Sequence, residues 1–200
     1  MNNIISELIC TRISHDIIGN IGAVANASEL LEEGDMDFID DIKSILKVSS
    51  FNMTARMKFF RMAFGVDNNN LENIELVKKT AEDYLASLGN IDYPIKLDWM
   101  ITSSGLVKNA FVGIMVMADL LIRGGVIKVV EKEGVIKISF SMENKFSQDK
   151  LQKFHTSLES EISTFDANTA HIACLSERMP VEKIKFINDE NNNNLTLVLG

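Results

Sequence analysis

The spacing of apolar residues in the first third of the chain predicts two long amphipathic helices. Between residues 9 and 31, apolar or small residues recur every three or four positions, which at ~100° per residue gathers them on one face that must be buried. This first stripe consists of Ile9, Ile13, Ile17, Ile21, Val24, Ser28 and Leu31. The second stripe consists of Phe38, Ile39, Ile42, Ile45, Leu46, Ser49, Met53, Met57, Phe60 and Phe64. Gly34 and Asp35 end the first helix and Asp37 is the candidate N-cap of the second, so the two form an antiparallel hairpin.

The apolar surface of the second helix is too wide for one partner helix to cover. Phe51, Phe59 and Met62 lie outside its main face. Pairing of two hairpins into a four-helix bundle would bury this surplus, so we expect a homodimer. The hairpin forms a first domain over residues 1–66.

A second domain, residues 67–200, follows the hairpin. The polar stretch from Val66 to Asn70 is a linker, in which Asn69 or Asn70 caps a helix that runs to Leu88. Short strands then alternate with helices, so the whole chain is predicted to be α+β. The predicted elements are a strand at 95–99, a helix opened by Ser103 or Ser104 and closed by Gly124-Gly125, a strand hairpin with its turn at 131–134, helices near 148–154 and 167–177, and two closing strands around an Asn-rich tip.

Charge and composition exclude several classes of partner. The net charge of -8 repels phosphate backbones and anionic lipid, so neither nucleic acid nor a membrane is an expected partner. The first residues lack a basic stretch followed by an apolar run, which predicts a cytoplasmic protein. The most apolar segment, 106–122, is short and interrupted by Lys108, Asn109 and Asp119, so it is predicted to be a buried helix. Isolated cysteines give no redox or zinc motif.

His15 lies opposite the centre of the first apolar stripe and is therefore predicted to face solvent. The residues one or two turns away on its face are apolar or small: Leu8, Thr11, Ile18, Gly19 and Gly22. An exposed imidazole in such surroundings is typical of a docking surface for another protein. The same residues would also suit the seam of a helical bundle, and the pattern alone leaves both interpretations open.

The segment around His15 resembles a known family. Residues 14–20, SHDIIGN, resemble the phosphoacceptor box of two-component histidine kinases, and the longer run 14–31 resembles the ChpT-type histidine phosphotransferases of alphaproteobacteria. The resemblance implies a dimeric kinase-like hairpin followed by an α/β sandwich similar to a degenerate Bergerat (GHKL) ATP-binding domain. It makes His15 the phosphoacceptor and Asp16 its acidic neighbour. The family has a proline where this chain has Asn20.

The implied function is a phosphorelay in which phospho-His15 carries a phosphoryl group between the aspartates of receiver domains. Asp16 is a candidate to orient the imidazole and assist proton transfer, and Arg12 is a candidate phosphate contact. Ordinary surface charge explains Asp16 as well as this role does, and it explains Arg12 better. The implied partners are response-regulator receiver domains and a hybrid histidine kinase. No cofactor is expected in this chain, because Mg²⁺ belongs to the receiver.

Two alternatives to a phosphocarrier remain. One is a non-catalytic, kinase-like dimer that binds and regulates a receiver domain or a kinase, and the other is an ATP-dependent kinase with an unusual site. The second is disfavoured because the position of the kinases' magnesium-binding asparagine falls near Val112 or Val116, with Asn109 a turn too early, and no glycine-rich loop follows. His155 and His171 have no metal-ligand spacing and are predicted to be structural or surface residues.

Overall fold

A computed structural model describes residues 3–34, 38–66, 70–160, 165–189, 191 and 193–200. Helices come first and a mixed sheet with further helices follows, so the predicted α+β class is confirmed. The elements in chain order are α1 (Asn3–Glu32), α2 (Ile39–Phe64), α3 (Ile74–Leu88), β1 (Ile95–Met100), α4 (Val107–Leu120), β2 (Gly125–Lys132), β3 (Val135–Ser141), α5 (Gln148–Leu158), α6 (Ala170–Arg178), β4 (Ile184–Asp189) and β5 (Asn194–Leu199).

The strands form one five-stranded sheet in the order β1-β2-β3-β5-β4. β1 pairs in parallel with β2, and all other pairs are antiparallel. The predicted hairpin joins β2 to β3 through Glu133 and Gly134, whose φ angles are 53° and 79°. Two successive positive φ angles give the turn a twist that matches its flanking strands. Glycine adopts a positive φ without steric cost, which explains its presence at position 134. At the predicted Asn-rich tip, Asn193 has a φ of 51°.

The hairpin of α1 and α2 is confirmed, but its apolar stripe is only partly buried. Ile9 is buried, whereas Ile21, Ser28 and Leu31 are exposed, so the prediction that the whole first stripe is buried is wrong for the single chain. The reason is that one partner helix covers only a narrow strip of its neighbour. In α2 the reverse occurs at Phe59, which was predicted to lie off the main face and is fully buried.

Helix starts were predicted less well than helix interiors. The side chain of Asn73 caps α3 by accepting from the amide of Leu76 at 3.1 Å, so Asn70 is not the cap, and Asn69 lies outside the described residues. Asp37 and Asp35 also lie outside them. Polar runs offer several cap candidates, and only the backbone path selects one.

The end of α2 and the second domain share one hydrophobic core. The ring of Phe59 stacks between Tyr84, at 3.8 Å between ring centroids, and Phe111, at 4.4 Å. The predicted buried helix is α4, whose apolar residues are almost all inaccessible. Arg178 donates to the carbonyls of Ala63 and Lys108, which adds a polar tie between α2, α4 and α6. The division at residues 66 and 67 stays a prediction.

Within the described residues, no helix combines the length and apolar character that crossing a membrane requires.

Candidate functional site

His15 projects from the middle of α1 into solvent. Its side chain is 82% exposed, as its position opposite the apolar stripe predicted. The carboxylate of Asp16 lies close by, with Oδ1 3.9 Å from Nδ1 of the imidazole. This separation is longer than a hydrogen bond but short enough for a small side-chain rotation to form one. The imidazole is therefore accessible and has an acidic neighbour.

Arg12 is held between two carboxylates beneath His15. Its Nε donates to Oδ2 of Asp16 at 2.9 Å and its Nη2 donates to Oδ1 of Asp119 at 2.8 Å. Only 13% of the Arg12 side chain is exposed. Burial disfavours the charged guanidinium, but Asp119 and Asp16 outweigh it and raise the pKa of Arg12 above its ordinary value. The predicted phosphate contact of Arg12 stays a prediction.

Asp119, at the end of α4, also faces a buried histidine. Nε2 of His171 lies 3.8 Å from its Oδ2, and neither ring nitrogen of His171 has a hydrogen-bond partner. Burial lowers the pKa of His171 to about 4, so the ring is neutral at pH 7. Burial opposes the charge of Asp119, but the positive groups around it hold its pKa below the ordinary value; at neutral pH these are Arg12 and Lys150.

A second arginine fixes the backbone of α1 at the same level. Arg56 of α2 donates through Nε to Oγ of Ser87 at 3.2 Å and through Nη2 to the Ser87 carbonyl at 2.7 Å. Its Nη1 donates to the backbone carbonyl of Asp16. Nearby, the amide of Asn52 donates to Oδ1 of Asn20 at 3.4 Å, so the residue in the family's proline position contacts α2. Three helices are thus joined just below His15.

A cleft of about 410 Å³ opens beside His15, between α1 and the second domain. Its lining residues are Arg12, His15, Asp16, Asp119, Lys150, Lys153, Phe154 and Asn168. Lys150 and Lys153 come from α5; their ammonium groups contact the Asp119 carbonyl at 2.9 Å and the Asp166 carboxylate at 2.7 Å. Cationic side chains beside the imidazole suit an anionic group such as a phosphoryl.

Most of the predicted docking residues lie on the exposed face of α1. Ile18 is 63% exposed, and Thr11, Gly19 and Gly22 are exposed as well. Leu8 differs, because it is half-buried and packs against the core. Their role in partner binding stays a prediction.

Sequence reasoning missed the contribution of the second domain to this site. Asp119 was visible only as a polar interruption of an apolar helix, and Lys150 and Lys153 had no signal of their own. His171, which the sequence left as structural or surface, is buried. His155 is exposed on α5.

The positions that the sequence matched to the kinases' magnesium-binding asparagine lie in α4 and are apolar. Val112 and Val116 are completely buried, and Asn109 is half-buried. Among the described residues, no group of three or more His, Cys, Asp or Glu side chains could hold a metal ion.

Comparisons with known proteins point to one kind of molecule. No protein-family model matches the chain. The protein phosphotransferase ChpT of Brucella abortus (strain 2308) is 48% identical over 61 residues, which are 30% of this chain and 28% of ChpT. The 1.7 Å structure of a bacterial phosphotransferase superposes with a TM-score of 0.73 at 23% identity, over 99% of this chain and 96% of that chain. The chain thus has the fold of a bacterial phosphotransferase along nearly its whole length and is similar in sequence to ChpT over 61 residues, as its resemblance to the ChpT type predicted.

Proposed function

We propose that this chain is a protein phosphotransferase of the ChpT type that carries a phosphoryl group on His15. The group would come from the aspartate of one receiver domain and pass to the aspartate of another. The observation that carries this proposal is the exposed imidazole of His15, which stands beside Asp16 at the mouth of a cleft with two lysines. The likeness to ChpT and to a phosphotransferase structure supports it.

The transfer needs little beyond an accessible nucleophile and well-placed charge. In the neutral imidazole with its proton on Nδ1, the lone pair of Nε2 attacks phosphorus. The Nε2–P bond forms while the bond from phosphorus to the donor aspartate breaks, and that aspartate leaves as a carboxylate. The phosphorylated ring keeps its Nδ1 proton and is positively charged, so the nearby Asp16 carboxylate stabilises it. Attack by the second receiver's carboxylate on phosphorus reverses these steps.

The two lysines of α5 are placed to lower the cost of bringing a phosphoryl group to His15. Lys150 and Lys153 line the same cleft as the imidazole. Their positive charge offsets part of the negative charge that accumulates on the phosphoryl oxygens. The receiver domain would supply the rest with its own Mg²⁺. The partners that we propose are receiver domains and a hybrid kinase, which we expect to meet this chain in the cytoplasm.

A transfer assay tests the proposal directly. The protein is mixed with receiver domains that carry radioactive phosphate, and acid-labile, base-stable label is measured on the chain. We expect label on the wild type and on the His155→Ala control, and none on His15→Ala. Label that persists on His15→Ala would contradict the assignment of the nucleophile.

The same assay addresses the non-catalytic alternative. A module that only occupies a receiver or kinase would bind those proteins equally well with His15→Ala and would never become labelled. If the wild type binds receivers that exchange phosphate with other carriers but never becomes labelled itself, the non-catalytic alternative is correct and the relay is not.

We further propose that two hairpins pair into a four-helix bundle. Outside the predicted docking residues, large apolar side chains are exposed along the hairpin, among them Ile21, Leu30, Leu31, Phe38, Ile45, Val48, Phe51 and Met57. An exposed apolar surface of this extent supports burial against a second copy. Light scattering should give a dimer at micromolar concentration for the wild type and a monomer for Val48→Glu, while a monomeric wild type would contradict the bundle.

A further inference from the structure

Asp119 reaches the phosphoacceptor region from a different part of the chain. It lies in α4, 107 residues beyond Arg12, and its side chain is 15% exposed. Apart from Lys108 and Asn109 in its first turn, α4 is a buried apolar helix, so the Asp119 carboxylate carries a desolvation cost that its partners must offset. The contacts of Asp119 therefore call for an explanation.

Neighbouring side chains lead from His15 to Asp119, and every step except the first is a hydrogen bond. Asp16 Oδ1 faces Nδ1 of His15 at 3.9 Å, while Asp16 Oδ2 accepts from Arg12 at 2.9 Å. Nη2 of the same Arg12 guanidinium donates to Oδ1 of Asp119 at 2.8 Å. Arginine has a planar group with fixed donor directions, so holding one end of it fixes the other. Asp119 thereby determines where Arg12 places the Asp16 carboxylate.

Removal of Asp119 would release this arrangement. Arg12 has a long flexible stem, and without Asp119 its guanidinium could follow the Asp16 carboxylate into several rotamers. Asp16 Oδ1 would then be free to turn away from the imidazole. Partners outside the reacting groups commonly fix a histidine's tautomer and orientation in this manner.

We propose that Asp119 is a positioning residue for phosphoryl transfer, acting on His15 through Arg12 and Asp16. This inference rests on the proposed function of His15 as phosphoacceptor. It gives the second domain a part in the chemistry, because α4 holds Asp119, which acts on the imidazole through Arg12 and Asp16 of α1.

The first test uses phosphoramidate, a small-molecule phosphoryl donor to histidine, with the full-length protein. The rate of phosphohistidine formation is followed by mass spectrometry for the wild type, Asp119→Asn, Asp16→Asn and the double variant. We expect Asp119→Asn to lower the rate constant at saturating phosphoramidate about 10-fold, with little change in the phosphoramidate concentration that gives half of that rate; the size is that seen when partners behind a metal-bound histidine are removed. Asp98→Asn, which breaks the exposed contact with Lys128, should leave the rate unchanged.

The double variant distinguishes positioning from general damage to the fold. If Asp119 acts through Asp16, the double variant is no slower than Asp16→Asn alone, because the second change removes nothing that remains. Multiplied losses in the double variant would overturn the inference. A wild-type rate in Asp119→Asn would overturn it as well and would leave the phosphoacceptor assignment intact.

A second readout needs no phosphoryl transfer. The nitrogen chemical shifts of the His15 ring report which nitrogen carries the proton, and we expect the Nδ1–H form to lose population in Asp119→Asn. Arg12→Lys keeps the charge but cannot bridge both carboxylates, so we expect it to change the ring shifts in the same way. It serves as the test variant if Asp119→Asn does not fold. Unchanged ring shifts in both variants would contradict the inference. Changed shifts with a wild type that never accepts phosphate would instead count against the proposed function alone.

Discussion

The two ends of the α1–α2 hairpin are stabilised in different ways. On one side of His15, α1 and α2 are fixed to the second domain by the Arg12–Asp119 bond, by Arg56 and by the stacked ring of Phe59. On the other side, from Ile18 onward, large apolar side chains remain exposed. The histidine stands where the fixed part ends.

This difference suits the proposed role of His15, because a phosphoacceptor must be both oriented and reachable. A rigid support beneath α1 fixes the backbone from which the imidazole projects, which favours transfer. The open face ahead of it, including Ile18 and Gly19, leaves room for a partner domain. α1 is thus held in place on one side of His15 and is open to a partner on the other.

Truncation of Phe59 should give the largest effect and locate the fixed end. Phe59→Ala removes a fully buried ring that stacks on Tyr84 and Phe111, so we expect a loss of about 3–5 kcal/mol in the free energy of unfolding. Phe51→Ala, on the exposed part of the same helix, should cost under ~1 kcal/mol in the isolated chain. Urea unfolding at low protein concentration measures both. Equal losses would contradict the division of the hairpin.

A pH titration of stability tests the buried end next. His171 has a pKa lowered to about 4 from 6.5, so between these values the unfolded chain binds a proton that the folded protein excludes. Stability therefore falls as the pH drops through this window and is retained above pH 6.5. At ~1.4 kcal/mol per pH unit the loss is on the order of 3 kcal/mol.

The His171→Leu variant supplies the comparison for that titration. Its unfolding free energy should depend less on pH between 6.5 and 4 than that of the wild type, whereas His155→Leu, at an exposed position, should follow the wild type. Parallel curves for the wild type and His171→Leu would show that the buried ring does not control this dependence.

Much of the fold was predictable from periodicity, while the fixed end of the site was not. The spacing of apolar residues predicted both hairpin helices and the exposure of His15, because helical geometry follows from local sequence. The bond from Arg12 to Asp119 joins residues 107 positions apart, and no local pattern encodes it. The burial of Phe59 was missed for the same reason, since α3 and α4 cover it.

The partial burial of the first stripe marks a second limit of sequence patterns. Ile21 and Leu31 fit the apolar period as well as Ile9 does, yet only Ile9 is buried in the single chain. A periodic stripe indicates that a helix face is apolar, but it does not indicate which neighbouring element covers that face. Which end of the hairpin is buried and which is exposed therefore depends on tertiary contacts.

Arg56→Lys should weaken the junction by a smaller amount. Lysine keeps the charge but cannot bond Ser87 and the Asp16 carbonyl together, so we expect a loss of about 1–2 kcal/mol in the free energy of unfolding. Arg61→Lys, at an exposed position on the same helix, should change it by less than ~0.5 kcal/mol. Thermal unfolding of both variants checks this, and a loss for Arg61→Lys as large as that for Arg56→Lys would count against the junction.

The smallest effect should have opposite signs at two glycines. A Cβ added at Gly19 meets nothing within 4 Å, and alanine is the better helix former, so Gly19→Ala should raise the free energy of unfolding by about 0.5–1 kcal/mol. At Gly89 an added Cβ would lie 2.9 Å from backbone atoms of Tyr93 and Ile95, so Gly89→Ala should lower it. Urea unfolding measures both changes.

The open face at Gly19 also predicts that Gly19→Leu, which projects a bulky side chain beside His15, slows transfer from a receiver while its labelling by phosphoramidate stays unchanged. Equal slowing with both donors would mean that this face orients the imidazole and does not receive a partner.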